Sequence, residues 1–401
     1  MNNPGLIIRV AAKGEGQTVD GRYVALAAPG DVLETDGTLS PGPDHAAPSC
    51  RHFPACGGCQ LQHLSEAALV AYVGGRVEGA ARGQGLDPGV VAPAHVSPPA
   101  TRRRATLHAQ GIGKRLVLGF REQGSHKIVD LKECPVLAPE LAALVVPLRR
   151  LLEARGERSL AADFALTLAD QGPTVDMAGI KMEGLAQTEG LLDFARDNGI
   201  ARLTLDQGDG PETVWEPDPV TVTLGGVPVG LPPGAFLQAT SDGEAALIAA
   251  AQGWLQGAAT VADLFSGLGT FAFALAGPGT KVLAVEAARD AHMACQAAAR
   301  LQGKPVHALH RDLFRNPLQK EELDRFAAVL LDPPRAGARE QVVALATSVV
   351  PRVVYVSCNP ASWAKDAATL IEGGYRLAGL VPVGQFRWST HVELASLFVR
   401  A

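Results

Sequence analysis

The stretch VADLFSGLGT, residues 261–270, decides the fold class of this 401-residue chain. A short apolar run ends at Leu264, and a turn that contains Gly267 and Gly269 follows it. Glycines in such a turn let the backbone pass close to a ligand at the carboxyl edge of a parallel sheet. Their spacing differs from the G-x-G-x-x-G pattern, so a dinucleotide-binding fold is not favoured.

Similar short apolar runs recur downstream of this turn. Short apolar runs end at Glu286, Asp332 and Ser357, and stretches of helical character separate them. Strands that are buried on both faces and alternate with helices are typical of a doubly wound parallel sheet. The part of the chain after about residue 215 is therefore predicted to be an α/β domain with a Rossmann-like sheet.

The sequence upstream of residue 215 has a different pattern of apolar and polar residues. Strand-like runs at residues 6–10 and 22–26, with glycine-rich turns between them, indicate a small β-barrel. Residues 40–48 are rich in proline and glycine and are interpreted as a linker. We predict three domains: a short β-barrel over residues 1–45, a central α+β domain over residues 46–215 and the Rossmann-like domain over residues 216–401.

The charge balance limits the partners of the protein. The formal net charge is -5, which excludes a generally basic nucleic-acid coat. Residues 101–132 nevertheless carry a local surplus of positive charge, which predicts an RNA-binding surface; a solvated face is the alternative. The cations of this basic stretch are Arg102, Arg103, Arg104, Lys114, Arg115, Arg121, Lys127 and Lys132.

No apolar run approaches the roughly 18 residues that a membrane span requires. The amino terminus lacks a charged segment followed by a long apolar one, so we expect a cytoplasmic protein with no membrane partner. No segment indicates an obligate protein partner. Six cysteines in such a protein indicate thiol, metal or cluster chemistry rather than disulfides.

Acidic residues at strand ends point to the ligand of the glycine turn. Glu286 ends the strand that follows the turn, where its carboxylate could accept hydrogen bonds from both hydroxyls of a ribose. Asp312 follows a further strand and could bind an adenine amino group. This combination suits S-adenosylmethionine. The alternative is an ordinary turn with a solvated glutamate.

Two loops after buried strands carry candidate catalytic residues. Asp332 is followed by two prolines, which hold it rigidly near the expected position of a methyl donor. Cys358 lies in a Ser-Cys-Asn-Pro sequence at the next strand end and is a candidate nucleophile, although a lone cysteine can also be structural. Glu393 lies at the margin of a strand, and its position alone is interpreted as that of a solvated charge. Cys295 lies in a helical run and is expected to pack.

A second set of cysteines has the spacing of a metal site. Cys50, Cys56 and Cys59 lie close together, and Cys134 lies 75 residues further on. Four thiolates can hold either one zinc ion or a 4Fe-4S cluster, and the spacing alone does not choose between them. Since no coordination position is left open, we expect a structural role rather than redox catalysis.

Together these motifs resemble the RNA uracil-C5 methyltransferases. The resemblance covers nearly the whole chain, and the cysteine set makes it closest to the iron–sulfur branch, the 23S ribosomal RNA uracil-C5 methyltransferases. The N-terminal barrel resembles the TRAM nucleic-acid-binding module, a fold similar to the OB-fold, in a shortened form. The motifs that carry the resemblance are FLQ at residues 236–238, DLFSGLG at 263–269, DPPR at 332–335, SCNP at 357–360 and HVE at 391–393.

The resemblance implies a function and a set of roles. The chain would methylate C5 of a uridine in 23S ribosomal RNA, in single-stranded or loop form, with Cys358 as nucleophile and Glu393 as base. The four cysteines Cys50, Cys56, Cys59 and Cys134 would hold a 4Fe-4S cluster. The residues implied to contact S-adenosylmethionine are Gln238, Phe265, Thr270, Glu286, Asp312 and Asp332.

Other functions compete with this interpretation. A transfer-RNA uracil-C5 methyltransferase would use the same chemistry, but that branch generally lacks the cysteine set. A small-molecule methyltransferase would need neither the basic stretch nor the barrel. The third alternative is a non-catalytic RNA-binding or ribosome assembly factor with a decayed methyltransferase domain, although Asp332, Cys358 and Glu393 are all present.

Overall fold

The computed structural model describes residues 3–113, 115–156 and 160–400. The chain separates into two compact units that interleave along the sequence. The N-terminal unit comprises residues 1–72, 97–220 and 386–390, and the C-terminal unit comprises residues 73–96, 221–385 and 391–401. The three consecutive domains expected from the sequence remain a prediction.

The strands are β1 (Ile7–Val10), β2 (Gly16–Thr18), β3 (Tyr23–Val24), β4 (Val32–Leu33), β5 (Leu39–Ser40), β6 (His95–Val96), β7 (Arg104–Ile112), β8 (Arg115–Gly119), β9 (Ala161–Ala169), β10 (Gly172–Ala178), β11 (Arg202–Asp206), β12 (Pro211–Trp215), β13 (Thr221–Leu224), β14 (Val227–Gly230), β15 (Thr260–Leu264), β16 (Lys281–Glu286), β17 (Val306–His310), β18 (Ala328–Leu331), β19 (Arg352–Ser357), β20 (Tyr375–Gly384) and β21 (Glu393–Arg400).

The helices are α1 (Glu66–Gly83), α2 (Pro139–Ala143), α3 (Val145–Arg155), α4 (Leu185–Asp197), α5 (Ser241–Leu255), α6 (Thr270–Leu275), α7 (Arg289–Leu301), α8 (Lys320–Leu323), α9 (Arg339–Thr347) and α10 (Pro360–Glu372). In the part of the chain that is described, no helix is long and apolar enough to cross a membrane.

The C-terminal unit is built on an eight-stranded sheet in the order β17-β16-β15-β18-β19-β21-β20-β6. Strands β15 to β19 pair in parallel, as the buried apolar runs predicted. At the other end of the sheet, for which the sequence predicted no strand direction, β21 pairs antiparallel with both β19 and β20. The sheet is therefore mixed. A strand that returns antiparallel can be as apolar as a parallel one, so composition did not reveal its direction.

The N-terminal unit contains a six-stranded sheet in the order β12-β11-β10-β9-β7-β8. Its pairs are antiparallel except for β10 with β11. The core of this sheet includes the fully buried side chains of Leu107, Phe164 and Leu203. Near the amino terminus, β1, β2 and β3 form a separate small sheet, and β4 pairs with β5. The amino-terminal part is thus β-rich, as predicted.

Candidate active site

The carboxyl ends of five parallel strands form one edge of the sheet in the C-terminal unit. In the spatial order β17, β16, β15, β18 and β19, the residues at or just after these ends are Asp312, Glu286, Phe265, Asp332 and Cys358. The strand order reverses between β15 and β18. Open α/β sheets bind ligands at this edge and at such a reversal.

Glu393 reaches the same edge by a different route. Because β21 runs antiparallel to β19, its first residues rather than its last lie there, and Leu394 pairs with Ser357. The side chain of Glu393 is 4% exposed. The structure therefore places Glu393 beside the Cys358 loop, and the solvated interpretation of this charge is wrong.

The turn after β15 is conformationally special. Phe265 has a φ of 64°, which is a rare backbone conformation for a bulky residue and occurs in tight turns and at functional sites. Gly269, with a φ of 94°, precedes α6, and a Cβ atom there would lie 2.8 Å from the Phe273 ring and 2.9 Å from Cys295 Sγ. Only glycine fits this position. Cys295 is buried against the turn, in the packing role that the sequence predicted.

Glu286 is held against the glycine turn. Its Oε2 accepts a hydrogen bond from the Gly267 N–H at 2.8 Å, and its Oε1 accepts one from the Ala288 N–H at 2.6 Å. These bonds fix the carboxylate at the end of β16. Each carboxylate oxygen has a second lone pair that can accept a ligand hydroxyl. The geometry is thus compatible with a ribose at this position.

Asp312 orders the loop after β17. Its Oδ1 accepts hydrogen bonds from the N–H groups of Phe314 and Arg315, at 2.9 and 3.3 Å. This loop brings the partly exposed Phe314 ring to 5.3 Å from that of Phe265. The sequence analysis missed Phe314, because an aromatic residue two positions after a strand-end acid matches no general motif. Phe265 and Phe314 together offer an apolar surface for a flat ring.

Thr270 and Gln238 lie on either side of this turn in the sequence. Thr270 is the first residue of α6, directly after Gly269. Gln238 lies in the loop before α5 and is buried, with its Nε2 donating to Asp332 Oδ2 at 3.3 Å. Burial raises the pKa of Asp332 to about 7. The carboxyl group of Asp332 therefore ionises less readily than that of an ordinary aspartate.

The Ser-Cys-Asn-Pro sequence joins β19 to α10. Asn359 caps the helix, since its Oδ1 accepts from the Ala361 N–H at 3.2 Å, and Pro360 occupies the first turn. Asn359 Nδ2 also donates to the carbonyl of Arg335 at 3.1 Å, which ties this loop to the one after Asp332. Cys358 is thus fixed between a strand end and a capped helix.

The electrostatic environment of Cys358 opposes ionisation. Burial raises the pKa of its thiol, and the nearby charges of Glu393 and Asp332 raise it further. Its own backbone amide and the charge of Arg335 act in the opposite direction but are smaller effects. A cationic ligand near the sulfur would favour the thiolate. Without one, Cys358 is a thiol at neutral pH.

This environment predicts the reactivity of Cys358 in the RNA-free protein. Alkylation of Cys358 by iodoacetamide should be slow at pH 7 and still rise at about pH 9, because only the thiolate reacts. Saturating S-adenosylmethionine should accelerate it by about threefold or more relative to S-adenosylhomocysteine, which lacks the positive sulfonium. Peptide mass spectrometry gives the rate at each pH. Equal rates with the two ligands would contradict a donor sulfonium beside this sulfur.

The N-terminal unit brings the other four predicted cysteines to one cavity. Cys50, Cys56, Cys59 and Cys134 line it, and its empty space is about 420 Å³ including the opening to solvent. Burial raises the pKa of Cys59 to about 12, and the neighbouring thiols raise it as well. Among the residues that the structure describes, no group of three or more His, Cys, Asp or Glu side chains is arranged to hold a metal ion.

The basic stretch divides into buried and exposed cations. Arg103 is buried, and Arg102 lines the cysteine cavity. Lys132 is exposed and pairs with Asp130 at 2.8 Å, whereas Lys114 lies outside the described residues. The charge count therefore overstates the positive surface. Besides Lys132, three cations in the described part of the basic stretch are exposed: Arg115, Arg121 and Lys127.

Comparisons with known proteins show which family this chain belongs to. A family model described as tRNA (uracil-5-)-methyltransferase matches residues 233–401. An uncharacterised RNA methyltransferase of Zymomonas mobilis is 49% identical over 98% of this chain and 99% of its own length. A 23S rRNA (uracil(1939)-C(5))-methyltransferase of Edwardsiella ictaluri is 36% identical over 90% of this chain and 84% of its own. The chain belongs to the RNA uracil-5-methyltransferase family.

One solved structure has a similar fold over nearly the whole length of this chain. The Pyrococcus abyssi tRNA (uracil-54, C5)-methyltransferase, in complex with S-adenosyl-L-homocysteine, matches with a TM-score of 0.76. The match covers 99% of this chain and 100% of the other, at 23% identity. The match shows that this member of the RNA (uracil-5-)-methyltransferase family has the fold of a known methyltransferase, with a Rossmann-like mixed sheet.

Proposed function

We propose that this methyltransferase acts on C5 of a specific uridine in 23S ribosomal RNA, with Cys358 as nucleophile and Glu393 as base. The observation that carries the proposal is the convergence of these two side chains with Asp332 at one sheet edge, where the charges of Glu393 and Asp332 act on the Cys358 thiol. The 36% identity to a 23S rRNA methyltransferase supports the choice of RNA.

The residues of this edge suffice for the chemistry of uracil methylation. S-adenosylmethionine, when bound, supplies the methyl group and a positive charge. Cys358 loses its thiol proton to solvent, its Sγ forms a bond to C6, and the electron pair of the C5=C6 bond moves into an enolate that makes C5 nucleophilic. C5 then takes the methyl group, the bond between that methyl group and the donor sulfur breaks, and S-adenosylhomocysteine leaves. Glu393 removes the C5 proton, and the electron pair of that C–H bond re-forms C5=C6 and expels Cys358 as thiolate.

The proposal extends to the cofactor contacts. Glu286 would contact the ribose, and Asp312 and Phe265 would contact the adenine end; their positions beside the reversal of strand order support these roles. Asp332 and Gln238, which are hydrogen-bonded to each other, lie on the side of Cys358. Thr270, directly after the turn glycine, completes the set. These roles are proposals that rest on position.

We further propose a 4Fe-4S cluster on Cys50, Cys56, Cys59 and Cys134. Such a cluster takes one thiolate per iron, so its four sulfurs surround a volume rather than converge on a single ion. Four thiols around one cavity fit this requirement, and none of them is in a disulfide. When bound, the cluster would connect the segments that carry its ligands and would take no part in methyl transfer.

The surroundings of Arg102 support an anionic group in this cavity. Its guanidinium lies 5.2 Å from the centre of the Phe386 ring, and its Nε donates to the carbonyl of Arg104 at 3.0 Å. Burial lowers the pKa of Arg102, and Cys134, Cys59 and Cys56 raise it when their thiols are ionised. An enclosed guanidinium needs a counter-charge, which metal-bound thiolates would provide.

The cluster predicts a defined metal content. Protein purified without oxygen should be brown and contain about four iron and four sulfide per chain. Replacing the buried ligand Cys59 with Ser should remove the iron and lower the melting temperature. The Cys295→Ala variant should retain its iron. About one zinc per chain, or iron that survives in C59S, would contradict the cluster.

The RNA substrate can be tested in cells that lack this protein. Ribosomal and transfer RNA from the deletion strain and its parent are digested to nucleosides and fragments, and 5-methyluridine is located by mass spectrometry. Loss of 5-methyluridine from 23S rRNA, restored by the wild-type chain, is the expected result. Loss from transfer RNA with 23S rRNA unchanged would replace this proposal with the alternative substrate.

A further inference from the structure

Gln385 lies at the centre of the site, although no sequence motif draws attention to it. It follows β20 directly and is 1% exposed. Strand β20 pairs with β21 so that Val383 faces Glu393. Alternate residues of a strand share a face, so the side chain of Gln385 projects to the side of Glu393.

All four hydrogen-bonding positions of the Gln385 amide are used. Its Nε2 donates to Glu393 Oε2 and to Gln238 Oε1, the latter at 2.7 Å. Its Oε1 accepts from the N–H groups of Ala239 and Thr240, at 2.7 and 3.3 Å. A glutamine offers two donors and two acceptor positions, so this amide is fully satisfied.

The partners fix which way the amide points. A rotation by half a turn would place Oε1 against the Glu393 carboxylate and Nε2 against two N–H groups, so that four attractive contacts would become repulsive. The backbone closes the pocket on the other side, since a Cβ at Gly243 would lie 2.7 Å from Gln385 Cβ. Gln385 is therefore held in one orientation before any substrate binds.

The amide joins two parts of the proposed mechanism. On one side it holds the carboxylate of Glu393, and on the other it holds Gln238, which in turn donates to Asp332 at 3.3 Å. A hydrogen bond donated to a carboxylate favours its ionised form. The ionised form is the one that can accept a proton from carbon.

We propose that Gln385 is a positioning residue that holds Glu393 ionised and correctly oriented for removal of the C5 proton, and aligns it with the Gln238–Asp332 side of the site. The inference rests on the proposed role of Glu393 as base. It concerns the last chemical step, so loss of Gln385 should slow release of the methylated RNA more than formation of the covalent adduct.

Two variants separate the donor function of Gln385 from its packing. Gln385→Glu keeps the shape and can still accept from Ala239 and Thr240, but loses both donors. Gln385→Met keeps approximate volume and loses all four hydrogen bonds. Gln341→Glu is the matched control, because Gln341 is equally buried and bonds the backbone of Leu318 at 2.9 and 3.0 Å.

The measurement is a single-turnover reaction with RNA and S-adenosylmethionine, in which adduct formation and adduct resolution are followed separately across a pH series. Both Gln385 variants should form methylated adduct and resolve it about 10- to 100-fold more slowly. The acid limb of the resolution rate should move to higher pH, whereas the Gln341→Glu profile should match the wild type. Cys358 and Asp332 are the same in every variant. Gln385→Glu adds a carboxyl group beside Glu393, so the pH shift is judged on Gln385→Met, which adds no ionisable group.

The outcomes distinguish this inference from the proposed function. Resolution at the wild-type rate and pH dependence in both Gln385 variants, together with a trapped adduct in Glu393→Gln, would overturn the role of Gln385 alone. A Glu393→Gln enzyme that resolves its adduct normally would overturn the base, and the role of Gln385 with it. A slow Gln385→Glu enzyme with a normal melting temperature would exclude misfolding and support the inference.

Discussion

Replacing Cys358 with Ala is expected to reduce methyl transfer to RNA by at least about 10⁴-fold, or about 5.4 kcal/mol of transition-state stabilisation. C5 of uracil is a poor nucleophile until a bond forms at C6, and in the proposed mechanism Cys358 Sγ forms that bond. The covalent adduct should disappear together with the product. The measurement is transfer of a labelled methyl group to RNA, with the protein–RNA adduct followed on a denaturing gel.

The control for this variant is Cys295→Ala. It removes another cysteine of the same unit, one that is 1% exposed and whose pKa burial raises to about 12. We expect it to lose roughly 1 kcal/mol of stability through the small cavity it creates, and to retain methyl transfer. Substantial turnover by Cys358→Ala would remove this residue from the mechanism.

Replacing Glu393 with Gln is expected to trap the methylated adduct. The carbonyl of the new amide can still accept a hydrogen bond from Gln385, so the geometry is kept, but a neutral amide cannot take the C5 proton. Adduct formation and methyl transfer should proceed, and release should slow by about 10²- to 10⁴-fold. Mass spectrometry of the trapped complex should show the RNA, the added methyl group and the Cys358 peptide in one species.

The matched control is Glu340→Gln, which makes the same chemical change at an exposed position in the first turn of α9. This variant should release product at the wild-type rate. Normal release from Glu393→Gln would show that another group removes the proton. An adduct without the methyl group would show that Glu393 acts before methyl transfer.

The parallel half of the sheet could be predicted from the sequence because its signal is local. Each buried run is short and apolar, and Glu286, Asp332 and Cys358 stand at or just after a run. Parallel strands present the same end at the same edge. To predict that these residues cluster, it was enough to know that the strands are parallel. The helices that alternate with the strands indicate this.

The antiparallel half could not be predicted in this way. An apolar run does not reveal its direction, so Glu393 could be recognised as part of the site only through the resemblance. Gln385 and Phe314 were missed because their significance lies in spatial contacts with Glu393, Gln238 and Phe265. The charge count over residues 101–132 likewise could not show that Arg103 is buried.

The most direct test of the account uses RNA that contains 5-fluorouridine. Fluorine at C5 cannot leave as a proton does, so a sulfur bonded to C6 remains bonded after methyl transfer. Wild-type enzyme is incubated with this RNA and S-adenosylmethionine, digested, and analysed by peptide mass spectrometry. We predict a methylated fluorouridine on the peptide that carries Cys358. Attachment to a different residue, or no adduct from enzyme that methylates ordinary RNA, would contradict the account.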